Sequence, residues 1–236
     1  MTTSRTPQSP LPRRAVLTGA PVLVGALALG AAPASAKDPV LRQGSRGSAV
    51  RSLQKDLAAL GCWCGSADGS FGPTTKQAVY ALQKIADLSK DGVVGPKTRA
   101  ALKKGVRPSP RITSGTAFEI DKKKQLIYCI SKGRLTYVLN TSTGSGKRYY
   151  SGGRWKTATT PSGDFSMYRL HSSGWESAPL GRLYRAGYYD RGWAIHGSTS
   201  IPPYAASHGC SRLSVAATDM LWKGGWMTKG RRVLVH

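Results

Sequence analysis

Past residue 40 the chain first follows a helical rhythm and then a strand rhythm. Val50, Leu53, Leu57 and Leu60 fall on one helical face, and Ala78, Val79, Leu82 and Ile85 on another. An internal repeat punctuates these helices: Asp68-Gly69-Ser70-Phe71-Gly72-Pro73-Thr74-Thr75 returns as Asp91-Gly92-Val93-Val94-Gly95-Pro96-Lys97-Thr98. Asp-Gly makes a turn, Phe71 or Val94 points inward, and Gly-Pro opens the next helix. A small all-helical domain over 40–104 is therefore expected. Gly105-Val106-Arg107-Pro108-Ser109-Pro110 breaks both periodicities, and 105–112 reads as a linker. From 113 to 236 the pattern is of short apolar or alternating runs: Ala117 to Ile120, Gln125 to Ile130, Leu135 to Leu139, and Arg232 to Val235 as a closing strand. Asp121 to Lys124 and Ser131-Lys132-Gly133 form the turns between them. The fold class expected is a multidomain α and β chain, a small helical domain followed by a mainly β, sandwich-like domain. The Gly-, Ser- and Tyr-rich segment from Thr143 to Thr160 fits either a substrate-lining flap or a disordered surface insertion.

The first 36 residues stand outside that pattern. Arg5, Arg13 and Arg14 precede an apolar run from Ala15 to Ala32, which ends in Ala34-Ser35-Ala36 ahead of Lys37. A basic start, a short apolar run and a small-residue cleavage site make an export signal, 1–36, so no stable membrane span is expected after cleavage. Arg13-Arg14 suggests the twin-arginine route, although the general secretory route tolerates the same arginines. An exported protein of the cell wall or extracellular space follows.

Charge narrows the partners. The whole chain carries a formal net charge of +24. Removing the leader takes away three arginines and no acid, leaving 32 basic against 11 acidic residues, a net +21. Such a field favours polyanions. The basic residues are scattered and no nucleic-acid motif appears, so anionic wall polymers and peptide carboxylates are the expected partners and nucleic acid is not.

Candidate chemistry concentrates in Ser207-His208-Gly209-Cys210-Ser211-Arg212. A lone free cysteine is most often a small buried hydrophobe. Here, however, His196 and His208, two of only four histidines, lie within the stretch that ends at Cys210, and Trp193-Ala194-Ile195 reads as a buried strand delivering His196 to its end. A thiol, a nearby base, a glycine and a guanidinium are the parts of acyl-transfer chemistry. Two positions from Cys210, His208 is poorly placed to face the sulfur, which favours His196 as the general base and leaves His208 as a pocket residue. Gly209 permits a close approach and, with Cys210, offers backbone N–H groups to an oxyanion. The planar fork of Arg212 suits a substrate carboxylate or pocket ordering, with a plain surface ion pair as the alternative. Cys62, Cys64 and Cys129 read as buried apolar residues rather than a disulfide framework.

Taken together, His196-Gly197, an intervening loop and Ser207-His208-Gly209-Cys210-x-Arg212 resemble the signature of the L,D-transpeptidases of YkuD type, cysteine enzymes that cross-link bacterial peptidoglycan. Val138-Leu139-Asn140-Thr141-Ser142-Thr143-Gly144 resembles that family's strand ending in Ser-Thr-Gly, and Thr160-Pro161-Ser162-Gly163-Asp164-Phe165 its Thr-Pro-x-Gly-x-Phe segment. The helical region is similar to the peptidoglycan-binding type 1 domain. The resemblance implies a Cys210 thioester acyl-enzyme, His196 as base with the Gly197 carbonyl fixing its tautomer, peptidoglycan stem peptides and glycan as partners, and a carbapenem as covalent inhibitor. It implies no cofactor and no metal. The loop from His196 to Cys210 is rather short for the family, and Arg212 stands where some members carry Asn.

Rival readings fare worse. A zinc peptidase built on His196, His208 and Cys210 lacks His-x-His or His-Glu-x-x-His. Ser52-Leu53-Gln54-Lys55 matches Ser-x-x-Lys inside a helix with no later Lys-Thr-Gly. A wall-binding protein with a decayed catalytic fold would have no need of the thiol, both histidines and the arginine. Hydrolysis of the same acyl-enzyme, an L,D-carboxypeptidase activity, stays open.

Overall fold

The computed structural model describes residues 38–236, and the expected export segment lies outside the described residues. Three helices come first: α1 (Ser48–Ala59), α2 (Pro73–Ile85) and α3 (Pro96–Lys104). Pro73 and Pro96 open α2 and α3, where a missing N–H costs nothing. Phe71 and Val94 are both buried, as the repeat requires.

Each Asp-Gly turn is closed by a buried glutamine. Gln54 donates from Nε2 to Asp68 Oδ1 at 2.8 Å and accepts from Gly69 N at 2.8 Å. Gln83 does the same with Asp91 Oδ1 at 2.7 Å and Gly92 N at 3.0 Å. Asp68 also accepts from Ser70 N at 2.8 Å. That backbone N–H, then Gln54, holds its carboxyl below the usual carboxylate range. The aspartates of the repeat are thus occupied as turn-formers.

Twelve strands follow, β1 (Ala117–Asp121), β2 (Leu126–Ser131), β3 (Arg134–Asn140), β4 (Arg148–Ser151), β5 (Arg154–Thr157), β6 (Gly163–Ser166), β7 (Arg169–Leu170), β8 (Trp175–Ala178), β9 (Gly181–Asp190), β10 (Trp193–Ser198), β11 (Ser211–Ser214) and β12 (Arg232–Val235), with α4 (Val215–Lys223) between the last two. One sheet has the order β3-β2-β1-β12-β6, the other β11-β10-β9-β7 with β8 beside β9, and β4-β5 is a separate hairpin. The fold is a small helical region followed by a mainly β domain.

Phe118, Ile120, Ile127, Cys129, Val233 and Val235 of the first sheet meet Tyr189, Ile195 and Leu213 of the second in one core. The alternate residues Ala117, Leu126, Tyr128, Ile130 and Val138 pack into a core shared with α1 and α2. The first sheet is covered on both faces, which is why β1 and β2 read as near-continuous apolar runs. Glu119 breaks that run on the helical side. Its buried carboxylate accepts from Arg111 N at 2.8 Å and Ile112 N at 3.0 Å and faces His236 Nε2 at 2.9 Å. The segment expected as a linker is therefore pinned at its end, with Ile112 inside the core.

Cys62, Cys64 and Cys129 are buried and unbridged. Among the described residues no helix is long and apolar enough to cross a membrane, and no cluster of His, Cys, Asp or Glu is arranged to hold a metal.

Gln83→Ala strips four buried or part-buried hydrogen bonds from one turn, to Asp91, Gly92, Val93 and Thr98. A loss of about 2 kcal/mol or more is expected by urea denaturation of the protein; a change within about 0.5 kcal/mol would contradict the role given to this side chain.

Candidate functional site

The site grows out of the pairing of β10 with β11. The two strands run parallel, with Ile195 opposite Ser211 and His196 opposite Arg212. Ile195 and Leu213 enter the core between the sheets. Strand alternation therefore sends His196 and Arg212 to the outer face. Cys210, just before β11, packs on that face against the cluster of Leu183, Ala186, Tyr188 and Ala194. Thiol, imidazole and guanidinium share one face because of a two-residue period.

His196 is 5% exposed, and its Nδ1 lies 2.9 Å from the carbonyl of Gly197. A carbonyl only accepts, so Nδ1 carries the hydrogen and Nε2 is left with a lone pair. Burial pushes the imidazole down to about 4, partly opposed by the Gly197 carbonyl, with Arg212 lowering it further. The ring is neutral at pH 7. Burial raises the Cys210 thiol, against the lowering effects of a backbone contact at Ala194 and of Arg212. Its Sγ donates to Gly192 O at 3.5 Å, and among the described residues no hydrogen bond joins it to His196. At rest the pair is thiol and neutral imidazole, not thiolate and imidazolium.

Gly209 sits at φ +144°, where a Cβ would lie 2.6 Å from Trp193 Nε1 and 3.0 Å from Thr159 O. The residue before Cys210 therefore has to be glycine. Its N–H donates to Ser207 Oγ at 3.0 Å, and that hydroxyl in turn donates to Cys210 O at 2.6 Å. Oxyanion binding by the Gly209 N–H would require Ser207 to let go.

Arg212 is half-buried, and among the described residues its guanidinium forms no ion pair. The surface ion pair entertained for it is absent from this structure. His208 is exposed and meets Tyr149 edge-on, ring centroids 4.8 Å apart. Tyr149 belongs to the β4-β5 hairpin, so the segment from Thr143 to Thr160 is a built wall of the site rather than a structureless insertion.

The two flanking motifs brace the segment around Cys210. Ser142 Oγ donates to Tyr204 O at 2.8 Å and accepts from Ala206 N at 3.1 Å. Ser142 O accepts from Arg212 N at 3.1 Å, and Thr143 O accepts from Ser207 N at 2.9 Å. Thr160 Oγ1 accepts from Gly144 N at 2.9 Å and donates to Gly209 O. Gly144 tolerates no side chain, because a Cβ there would lie 2.4 Å from Ala158 O.

Glu176 escaped the sequence reading. It lies on β8, accepts from Tyr188 Oη at 2.7 Å, and its charge raises both His196 and Cys210. No motif marks it; only the β8-β9 pairing brings it here.

Comparison with known proteins follows the same division of the chain. Residues 46–102 match the family model of a putative peptidoglycan binding domain, and residues 115–235 that of the L,D-transpeptidase catalytic domain. The crystal structure of an L,D-transpeptidase from Xylanimonas cellulosilytica is 45% identical, with a TM-score of 0.81, and covers 87% of this chain and 100% of that one. An L,D-transpeptidase from Stackebrandtia nassauensis, 19% identical with a TM-score of 0.50, covers 86% of this chain and 97% of that one and supports the fold alone. Among curated proteins, the N-acetylmuramoyl-L-alanine amidase CwlL of Bacillus licheniformis is 48% identical over 65 residues, 27% of this chain. This chain spans only 18% of that amidase.

Exposure separates the thiols. Cys62, Cys64 and Cys129 are buried, whereas Cys210 is partly exposed. Iodoacetamide on the native mature protein should give one adduct, at Cys210, and four after denaturation without reductant. Native labelling at Cys62, Cys64 or Cys129, or fewer than four thiols on unfolding, would contradict this arrangement.

Proposed function

The chain belongs to the L,D-transpeptidase family, and from that premise we propose that it forms peptidoglycan cross-links through a thioester on Cys210. The observation that carries this reading is the His196 tautomer: with Nδ1 held by Gly197 O at 2.9 Å, Nε2 is an unprotonated base on the face that bears the thiol.

In the proposed first half-reaction, His196 Nε2 takes the Cys210 proton as the sulfur attacks the carbonyl carbon of the donor stem's diaminoacid. The tetrahedral oxyanion collapses, the C–N bond to the terminal D-residue breaks, and His196 returns the proton to the departing amine. In the second, the side-chain amine of an acceptor stem attacks the thioester carbonyl and gives a proton to His196. The new amide forms, and the sulfur leaves and is reprotonated. Because burial disfavours both charged partners, proton transfer accompanies attack instead of preceding it. The N–H of Cys210 is the oxyanion donor best left for the task, since Ser207 holds that of Gly209. Arg212, positive and unpaired on the same face, receives a stem carboxylate. Wall location, export and acylation by a carbapenem belong to this reading. Water in place of the acceptor amine would make the enzyme an L,D-carboxypeptidase, and the balance depends on how well the acceptor side excludes water.

Two measurements test it. Wild-type mature protein should gain one carbapenem mass and Cys210→Ala none, and incubation with disaccharide-tetrapeptide should release cross-linked dimers; trimmed monomers alone would establish hydrolysis instead. The acylation rate should hold as pH falls through 6.5 and decline only as His196 protonates toward about 4. An acid limb centred near 6.5, the ordinary imidazole value, would contradict the buried base.

A further inference from the structure

Helix α2 carries a buried cation that the proposed chemistry does not use. Lys84 is 2% exposed, and among the described residues it has no carboxylate partner. Its Nζ donates to Gln125 O at 2.7 Å, to Thr141 O at 3.2 Å and to Asn140 Oδ1. Burial pulls the ammonium down to about 7, with Lys90 lowering it further; its three oxygen acceptors work the other way. An apolar side chain would pack a helix on a sheet at lower cost than a lysine stripped of water.

What Lys84 holds is the end of β3, where the brace of the nucleophile begins. Thr141, whose carbonyl it binds, donates from Oγ1 to Arg212 O at 2.8 Å. Gln77 lies seven residues before Lys84, two turns back on the same helical face. Its Oε1 accepts from Asn140 Nδ2 at 2.5 Å, and its Nε2 donates to Ile201 O at 3.3 Å. Asn140 Nδ2 reaches the same carbonyl at 3.4 Å. Ile201 lies in the loop that runs from β10 to the nucleophile, three residues before Tyr204, which Ser142 holds. One helix face therefore grips both the strand end and the loop that together set the backbone on either side of Cys210.

We propose that Gln77 and Lys84 are positioning residues for the nucleophile segment, so that the helical module completes the active site in addition to any binding of the wall. The inference rests on the thioester reading above. A mere packing role would cost stability when these residues are changed and leave the reaction of the folded enzyme alone. A positioning role acts on the chemical step, where misplacement by about 1 Å can cost on the order of a hundredfold.

The test uses the full mature chain, wild type, Gln77→Ala and Lys84→Met, with carbapenem acylation followed by intact mass at several inhibitor concentrations. For the folded variants the first-order acylation step should fall about tenfold or more, with apparent affinity changed less than about threefold, and amide hydrogen exchange over 199–206 should quicken. Wild-type acylation rates and wild-type exchange in folded variants would overturn the proposal. If Lys84→Met fails to fold, Gln77→Ala, which leaves the buried lysine in place, decides alone. If wild type takes no adduct, the thioester reading fails, and unchanged exchange over 199–206 in Gln77→Ala would separately refute the positioning role.

Discussion

The parallel pairing of β10 with β11 is the constraint from which the site follows. Setting His196 opposite Arg212 commits Ile195 and Leu213 to the core and leaves imidazole, guanidinium and the preceding thiol on one outer face. A shift of one residue would bury the charged groups and expose the apolar ones, so the hydrophobic core itself enforces the register. Parallel strands need a crossover, and the one here, residues 199–210, is short and irregular. Such a connection cannot hold its own shape by ladder bonds. It is held from outside, by the Ser142 hydroxyl, the Thr143 carbonyl and the Thr160 hydroxyl.

That support explains why hydroxyl residues crowd the ends of β3 and the start of the Thr-Pro segment. Thr141, Ser142, Thr143 and Thr160 are all buried, and each spends its side chain on a backbone or side-chain partner. An unpaired buried hydroxyl is costly, whereas a paired one fixes a direction. The same desolvation acts on His196 and Cys210. It leaves His196 neutral and Cys210 protonated, so that no standing thiolate is exposed to oxidation.

Much of this was legible in the residues. Phe71, Val94 and the Gly-Pro helix starts announced the helical repeat, and the apolar runs of β1, β2, β3 and β12 announced strands, because a sheet covered on both faces leaves an unbroken hydrophobic signal; Trp193-Ala194-Ile195 announced β10. The ten-residue β9 gave no such signal: Arg182, Tyr184 and Arg185 interrupt it, and Arg185 takes a left-handed φ of 46°. With β9 unread, β8 and Glu176 went unread too. Helix α4 starts on a Ser214 cap, Oγ accepting from Ala217 N at 3.1 Å, but its nine residues were too few to establish a period. Gln54, Gln83, Gln77 and Lys84 look like surface residues in sequence; only the burial of their helices turns them into structural polar groups. The Pro-rich composition of the linker likewise says nothing of the buried Glu119 that binds its far end.

Cross-linking as proposed requires that Cys210 carry the donor acyl group. The most direct measurement is peptide mapping of the mature protein quenched in acid seconds after mixing with disaccharide-tetrapeptide. One thioester is expected, on the peptide containing Cys210, equal in mass to the donor less its terminal D-residue and discharged by hydroxylamine. Turnover of the donor with no adduct at Cys210, or with an adduct on another residue, would contradict it.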